Sequence, residues 1–411
     1  MSVAPSFLPA WPDFNPRRHA GVIEFPVHHM RGGTSTGLVI NERYAPTDPA
    51  LREELLRHLM GVPLTGTHPG NRQITGLGRG TATSNKVFFA NWEASETGAR
   101  IVSTLAQLAG NHGEIDWSVN CGNMSSALQL WAIDAGIVVP APSAACDTDI
   151  RNTNTGVITT SRMTPMADGR FVAAEIPGVD GAFPSVDLFL HHPVGSKTGQ
   201  LLPTGAPQDI IEGHAVSCVD VAVPMVIADA AAFGKTAHEP IDELVADLDF
   251  MAALRRVWVQ AGLRMALKRR DGQLMTIDEI ARSETIPKVC IVGVPRHGGH
   301  IAARYFTPQT GHASMAVSGG CCLAAATLVR GSVAHRIAQG VPATRDEFGD
   351  IEIGIENPAG ILSATVVARQ DGDRLEVRSA AYRRSAQILL RGHVALYRAS
   401  PELVASLLPP V

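Results

Sequence analysis

Two residues of this chain, a cysteine and a lysine, have surroundings that favour proton transfer. Cys121 lies in the small-residue turn Asn120-Cys121-Gly122-Asn123-Met124-Ser125-Ser126, directly before an apolar helical segment. A cysteine at the N-terminus of a helix has a lowered pKa, so more of it is the reactive thiolate. Lys86 begins the strand-like segment Lys86-Val87-Phe88-Phe89, and burial beside aromatic rings lowers the pKa of a lysine. If the fold brings both groups into one cleft, they can transfer protons to and from carbon.

Both residues also have a plain structural interpretation. Most free cysteines are small buried hydrophobic residues, although the Asn and Gly residues around Cys121 favour a functional role. For Lys86, the residues alone favour a solvated lysine at a strand edge. Lys288, which begins the similar segment Lys288-Val289-Cys290-Ile291 in the second half of the chain, receives the same structural interpretation.

Two glycine-rich segments have the composition of loops that bind anions. The first, Arg31-Gly32-Gly33-Thr34-Ser35-Thr36-Gly37, combines flexible glycines with hydroxyl groups between two strand-like runs. The second, Gly76-Leu77-Gly78-Arg79-Gly80, offers Arg79 as a group that could hold a carboxylate. Neither contains the nucleotide-binding patterns G-x-x-x-x-G-K-[ST] or G-x-G-x-x-G. A plain turn is the alternative for the first segment, and a solvent-exposed arginine is the alternative for the second.

The histidines provide no pattern for a metal site. His28-His29, His191-His192 and His312 are accompanied by neither an H-x-x-x-H helix motif nor a Cys/His cluster with ligand spacing. The sequence therefore predicts no metal. His312, which precedes Ser318 by six residues, is the histidine expected near the cleft.

Length and composition limit the class of protein. With 411 residues, 45% of them hydrophobic, the chain is long enough for two or three domains with buried cores. A net charge of -4 gives no reason to expect a nucleic acid or a membrane as partner. Six cysteines without a C-x-x-C pair predict a reducing, cytoplasmic environment. Residues 1–20 contain no apolar stretch typical of a secretory signal and are expected to form a loose N-terminal arm.

The two halves of the chain resemble each other in the order of their elements. In each half, a strand beginning with Lys86 or Lys288 leads through a second strand to a small-residue turn and an apolar helix. This order predicts two β-rich domains of one topology, each wrapped around a central helix. The predicted domains are residues 21–205 together with 393–411, and residues 206–392. The N-termini of the two central helices, which attract carboxylates, are expected to face the cleft between the domains.

Helical periodicity is clearest in four segments, residues 50–60, 124–135, 241–261 and 322–330. The many glycines and prolines between them fit short strands with tight turns. A homodimer is the expected assembly, because dimers are the commonest oligomers.

Taken in order, the motifs resemble the PrpF family, which contains 2-methylaconitate cis-trans isomerases and 4-oxalomesaconate tautomerases. The resemblance rests on Arg31-Gly-Gly-Thr-Ser-x-Gly, Gly76-Leu-Gly, Ser84-x-Lys86-Val, Asn120-Cys-Gly-Asn and Gly311-His-Ala followed by Ser318-Gly. It implies an α+β, diaminopimelate-epimerase-like fold with the active site between two similar domains, and no metal or organic cofactor. It places the catalytic lysine at Lys86 and the catalytic cysteine at Cys121. Ser318 stands where the epimerases have a second cysteine.

The resemblance also implies a set of substrate-binding residues. They come from the same motifs and are Arg31, Gly33, Thr34, Ser35, Thr36, Arg79, Ser84, Asn85, Gly122, Asn123, Met124, His312, Ser318, Gly319 and Gly320. This chain departs from the family pattern at several of these places. Thr36 stands where the family usually has lysine, Thr75 where it usually has an acidic residue, and Arg79 where a second glycine is common. Asn357-Pro358-Ala359-Gly360 replaces a His-Pro-Ser-Gly segment.

The function expected from these motifs is that of a cofactor-independent isomerase or tautomerase. It would move a double bond by a 1,3-allylic proton shift in an unsaturated di- or tricarboxylate such as 2-methylaconitate or 4-oxalomesaconate. Lys86 would remove the allylic proton, and Cys121 would be either the second acid or a group facing a substrate carboxylate. Two other functions stay open: an epimerase or dehydratase that uses Cys121 and Ser318 as opposed groups, and a non-catalytic accessory protein that assists a partner enzyme.

Overall fold

The computed structural model describes residues 14–80, 84–96, 98–117, 121–269, 271–372 and 374–408. The predicted N-terminal arm, residues 1–20, lies mostly outside these ranges. Among the residues described, none of the helices combines the length and the apolar character that crossing a membrane requires.

The described residues form eighteen β-strands and nine α-helices. The strands are β1 (Arg17–His19), β2 (Val22–Gly32), β3 (Ser35–Asn41), β4 (Lys86–Ser95), β5 (Gly98–Leu108), β6 (Ile115–Asp116), β7 (Cys146–Asn152), β8 (Ile158–Met163), β9 (Ala173–Ala174), β10 (Phe183–His191), β11 (Asp209–Ile211), β12 (His214–Val221), β13 (Val223–Asp229), β14 (Lys288–Gly293), β15 (Ile301–Phe306), β16 (Gly349–Asn357), β17 (Gly360–Asp371) and β18 (Arg374–Ala395). The helices are α1 (Pro49–Met60), α2 (Gly122–Ser125), α3 (Leu128–Asp134), α4 (Ile241–Ala246), α5 (Leu248–Arg264), α6 (Ile277–Arg282), α7 (Val317–Leu328), α8 (Val333–Ile337) and α9 (Pro401–Leu407).

The chain divides into two compact units. The first contains the residues up to Glu175, Val179–Leu188 and the residues from Arg384 onward, and the second contains Ile176–Gly178 and Phe189–Arg383. Two of the passages from one unit to the other fall inside strands β10 and β18. The predicted domains, residues 21–205 with 393–411 and residues 206–392, have different limits, because composition identifies loops and not a change of unit within a strand.

The two units have the same order of strand pairings. In the first unit, β2 and β3 are antiparallel, β3 and β4 parallel, β4 and β5 antiparallel, β5 and β7 parallel, and β7 and β8 antiparallel. In the second unit, strands β12 to β17 are paired in the same alternation of antiparallel and parallel neighbours. This agreement confirms the prediction of two similar units of one topology.

Each unit packs its strands against an apolar helical segment. In the first unit, Met124, Leu128 and Trp131 from α2 and α3 are fully buried in the same cluster as Phe88. In the second unit, the described residues of α7 from Gly319 to Leu328 are all buried. The adjacent Cys321 and Cys322 of this helix are core residues, and burial raises the pKa of Cys322 well above its usual range.

The predicted helices differ from the observed ones at their ends and, in two cases, by an internal break, and the segment predicted at 124–135 lies in α2 and α3. The segment predicted as one helix at 241–261 forms two helices, because Asp247 accepts a hydrogen bond from the Phe250 N–H and begins α5 as its N-cap. Helix α7 begins at Val317 rather than at residue 322. Its first turn was not predicted because Ser318, Gly319 and Gly320 have no large hydrophobic side chain that would extend the apolar pattern.

Candidate active site

Lys86 is fixed by its position at the start of a central strand. It is the first residue of β4 and lies opposite Gly37 of the parallel strand β3 and opposite Gln107 of the antiparallel strand β5. A side chain at Gly37 would collide with the Lys86 carbonyl oxygen, so the close approach of β3 to β4 requires glycine there. The backbone of Lys86 is therefore held between two strands.

The Lys86 side chain is buried, in contrast to the solvated position that the residues alone favour. Only 7% of the residue is exposed. Because side chains alternate along a strand, Lys86 lies on the same face of β4 as Phe88, which packs with α2 and α3. Burial lowers the pKa of Lys86 below that of an ordinary lysine, and a charge interaction with Cys121 opposes part of this effect. The amine and the thiol are thus electrostatic neighbours.

Cys121 immediately precedes a helix, as the sequence predicts. Its backbone is extended (φ -134°, ψ 100°), and its carbonyl accepts the first helical hydrogen bond, from the Ser125 N–H at 2.9 Å. The residue is half-buried against the cluster that contains Phe88 and Met124. Helix α2 is one turn long and is followed by α3 after a short turn. The preceding residue of the motif, Asn120, lies outside the described ranges.

The glycine-rich turn between β2 and β3 packs directly on the Cys121 motif. The Asn123 side-chain nitrogen donates to Thr34 Oγ1 at 3.3 Å, and Asn123 Oδ1 accepts from Arg384 Nε at 2.9 Å. A side chain at Gly32 would collide with the Asn123 carbonyl oxygen, and one at Gly33 with the Asn123 side chain. The structure therefore brings Gly33 and Thr34 to Asn123, and Gly32 to Asn123 and Met124.

Arg31 and Thr36 lie on one face of the β2–β3 hairpin, and Gly32 and Ser35 lie on the other face. Arg31 is opposite Thr36 in the register, and its Nη1 donates to the Gly33 carbonyl at 2.9 Å and to the Ser385 carbonyl at 3.1 Å. Its guanidinium carbon lies 4.6 Å from the centre of the Phe183 ring, and burial lowers the pKa of Arg31. These contacts make Arg31 a residue that shapes the turn. Ser35, also predicted to bind substrate, is buried within the hairpin.

The Arg31 Nη2 and Thr36 Oγ1 atoms are buried without a hydrogen-bond partner among the described residues. Both atoms belong to residues predicted to contact substrate, and Thr36 is the position where the resemblance leads one to expect lysine. The prediction of substrate binding for this pair stays a prediction.

Asn85 holds the second glycine-rich segment in place. Its side chain is fully buried and exchanges two hydrogen bonds with the Gln73 amide, at 3.0 and 3.1 Å. Asn85 Oδ1 also accepts from the Arg79 N–H at 3.1 Å, and Gln73 Oε1 accepts from the Gly80 N–H at 2.7 Å. These contacts favour a positioning role for Asn85 over direct binding. Arg79 itself is exposed, and Ser84, next to Asn85, is half-buried.

The remaining predicted residues, His312 and the three at the start of α7, lie in the second unit. Ser318, Gly319 and Gly320 form the first turn of α7, and side chains at the two glycines would collide with the rings of Tyr305 and Tyr382. The His312 N–H donates to the Tyr305 carbonyl at 2.9 Å, and its Nδ1 accepts from the Ser314 N–H at 2.9 Å.

Several residues that build this region carry no signal in the sequence. Arg384, which is buried and holds Asn123, comes from β18, far from Asn123 along the chain. Gln73 and Gln107 both hold Asn85, the residue before Lys86: Gln73 bonds its side chain, and Gln107 donates to its carbonyl at 3.0 Å. An arginine and two glutamines without a local motif cannot be distinguished from surface residues until the strands are paired.

The region around Lys86 and Cys121 therefore combines a buried amine of lowered pKa with a thiol at a helix start. Such a pair can remove a proton from carbon and return one. Among the described residues, the side chains that come within reach of one metal ion lie elsewhere, in the second unit.

Known proteins resemble this chain over nearly its full length. Residues 22–397 match the family model described as PrpF protein. The chain is 29% identical over 381 residues to the 4-oxalomesaconate tautomerase of Pseudomonas putida, covering 92% of this chain and 98% of that protein. It is 30% identical over 381 residues to the (4E)-oxalomesaconate Delta-isomerase of Novosphingobium sp., covering 92% and 99%.

A solved structure shares the fold. The crystal structure of methylitaconate-delta-isomerase matches with a TM-score of 0.75 at 23% sequence identity, covering 94% of this chain and 97% of that chain. This match confirms the predicted fold class. Because the family model covers most of the chain and the relatives are isomerases and tautomerases, this protein belongs to the PrpF family and is an isomerase.

Proposed function

We propose that this isomerase moves a carbon–carbon double bond within an unsaturated di- or tricarboxylate by a 1,3-allylic proton shift. The observation that carries the proposal is the buried Lys86 amine, whose pKa is lowered by burial and whose charge interacts with Cys121 at the start of α2. A lysine poised in this way is a stronger candidate for a general base than an exposed one, because more of it is neutral near physiological pH.

The relatives support the choice of substrate class. Two of them are named for oxalomesaconate, and both are aligned over more than nine-tenths of this chain. We therefore take 4-oxalomesaconate as the first candidate substrate and 2-methylaconitate as the second. The departures at Thr36 and Arg79 lie in the segments expected to hold carboxylates, so they bear on the substrate more than on the reaction.

The proposed reaction is a proton transfer in two steps. The neutral Lys86 amine takes the allylic proton: the C–H bond breaks, an N–H bond forms, and the electron pair delocalises into the conjugated carboxylate or oxo group. A proton then returns to the far carbon of the allyl unit, from the Lys86 ammonium or from the Cys121 thiol, and the double bond has moved by one position. When the thiol supplies the proton, transfer of a proton from the Lys86 ammonium to the Cys121 thiolate restores the starting state. The reaction has no net redox change, so these proton transfers balance without an oxidant or reductant.

The negatively charged intermediate would be stabilised by hydrogen-bond donors close to it. The backbone N–H groups of Gly122 and Asn123 follow Cys121 directly, and the Cys121 side chain does not cap them. Donors aimed at developing charge in a buried site lower the barrier by several kcal/mol in enzymes generally. If Cys121 instead contacts a substrate carboxylate, the same two backbone N–H groups would bind that carboxylate.

The test is turnover by the purified protein alone. Proton NMR would follow aconitate, 2-methylaconitate, methylitaconate and 4-oxalomesaconate, each incubated with the folded protein in separate samples. Migration of the double bond in one of these acids, without an added cofactor or partner, supports the proposal. No migration in any of them would contradict it and favour an epimerase, a dehydratase or an accessory role.

A further inference from the structure

Three side chains from separate segments of the second unit come together at its surface. His238 precedes α4, His297 lies in the loop between β14 and β15, and Glu356 lies near the end of β16. One potential metal-ligand atom from each residue lies within 4.8 Å of the other two. The three positions are far apart in the sequence, so no spacing motif marks them.

Glu356 is the fixed member of this cluster. It is 4% exposed, and its carboxylate accepts backbone hydrogen bonds from Arg296 N at 2.8 Å, from His297 N and from Gly299 N at 3.0 Å. Two of these bonds go to Oε1 and one goes to Oε2, so Oε2 keeps a lone pair for a further partner.

The two histidines are arranged to share a ligand with that carboxylate. His238 Nε2 lies 2.9 Å from the Val294 carbonyl oxygen, and a carbonyl can only accept, so this nitrogen carries the proton. His238 Nδ1 is then the atom with a lone pair. Histidines that bind metals usually donate their other N–H to a carbonyl or carboxylate in this way. The His297 ring lies edge-to-face with the His238 ring, with centroids 6.1 Å apart, and is exposed, so it can rotate toward a shared ion.

We propose that His238, His297 and Glu356 bind a divalent transition-metal ion such as Zn²⁺, with water completing the coordination. Two imidazoles and one carboxylate suit Zn²⁺, whereas Ca²⁺ and Mg²⁺ prefer oxygen ligands. Ligand atoms of a tetrahedral Zn²⁺ site lie roughly 3.3 Å apart, given bonds of about 2.0 Å, so the three ligand atoms, now within 4.8 Å of one another, would move closer on binding, and the exposed His297 ring can rotate to do so.

The bound ion would clamp three segments of the second unit to one another: the chain before α4, the β14–β15 loop and the end of β16. Its role is therefore structural, and it does not depend on the proposed isomerase function. None of the three ligands belongs to the candidate active-site residues.

The test uses the metal-free, full-length protein titrated with Co²⁺, followed by visible absorption, and with Zn²⁺, followed by calorimetry. The matched variants are His297→Ala, which removes an exposed ligand, and His335→Ala, which removes an exposed histidine of α8 outside the cluster. We expect one ion to bind the wild-type protein and the His335→Ala variant equally. His297→Ala should weaken binding by at least about tenfold, since even the loss of an outer-shell partner costs that much.

Two further measurements keep the proposal open to refutation. The same concentration of Zn²⁺ should raise the Tm of the wild-type protein and of His335→Ala by more than that of His297→Ala or of a second variant, His238→Ala. Equal metal affinity in His297→Ala and His335→Ala would overturn the proposal, and so would the absence of binding to folded protein. A near-ultraviolet thiolate-to-cobalt band would do the same, because it would assign the ion to a cysteine.

Discussion

Replacing Lys86 by glutamine should abolish most of the activity without weakening the fold. Glutamine keeps much of the length of the side chain and removes the amine. A general base contributes about 10²- to 10⁴-fold to the rate, which corresponds to roughly 3–5 kcal/mol of transition-state stabilisation. We therefore expect Lys86→Gln to lower kcat by about this factor, with a smaller change in KM, since the amine acts on the reacting proton.

The stability of the same variant follows from the pKa of Lys86. Burial lowers this pKa in the folded protein below the 10.5 of an ordinary lysine. Between the two values the unfolded chain binds more protons than the folded one, so the free energy of unfolding rises with pH in that window. Below the window, the folded protein carries a buried ammonium that costs stability. Lys86→Gln removes this cost, so its Tm at neutral pH should equal or exceed that of the wild-type protein.

Lys288 is the matched control for this experiment. It begins β14 as Lys86 begins β4, each in a strand parallel to its predecessor, and burial also lowers its pKa. Lys288→Gln should therefore resemble Lys86→Gln in stability but keep wild-type kcat. The kcat/KM of the wild-type enzyme and of Lys288→Gln should rise with pH, with an apparent pKa below 10.5. Near-normal activity in Lys86→Gln, or equal losses in both variants, would refute the assignment of the base.

Three further predictions concern the surroundings of this base. Cys121→Ser should lower kcat at least about tenfold in steady-state assays if the thiol returns the proton, and should raise mainly KM if it faces a substrate carboxylate. Arg384→Met removes a hydrogen bond of 2.9 Å to Asn123. It should lower kcat/KM by roughly 10- to 100-fold, because hydrogen bonds to charged groups contribute about 1.5–3 kcal/mol. An unchanged kcat/KM would show that Asn123 does not contribute to the active site. Ser318→Ala should leave the double-bond shift largely intact, whereas a severe loss would favour epimerase or dehydratase chemistry across two opposed groups.

Local patterns in the sequence predicted which helices and strands form better than they predicted the residues at which the helices begin and end. The helix predicted at residues 50–60 is α1, which begins after the cap residue Asp48 and ends before Gly61 in the left-handed conformation. The repeated order of strand, strand, turn and helix predicted the common topology of the two units. The break at Asp247 was not predicted, because a side-chain cap within a continuous apolar pattern leaves the periodicity unchanged.

Two residues of the candidate site were predictable because a short local motif is enough to identify each of them. Lys86 and Cys121 stand out by residue type and by their neighbours, and the structure makes them electrostatic neighbours. The burial of Lys86 was not predictable, because it depends on the pairing of β4 with β3 and β5. The glycine-rich motif also does not reveal the alternation of strand faces, which places Arg31 and Thr36 on one face of the hairpin and Gly32 and Ser35 on the other.

The measurement that tests the central claim most directly is proton NMR of 4-oxalomesaconate turnover in D₂O, with the wild-type enzyme and Lys86→Gln side by side. If Lys86 carries the proton, the abstracted hydrogen joins an ammonium that also holds solvent deuterons. The wild-type product should then carry mostly deuterium at the newly protonated carbon, while Lys86→Gln should show neither migration nor exchange. Migration without deuterium in the wild-type product, or exchange that persists in Lys86→Gln, would contradict the account.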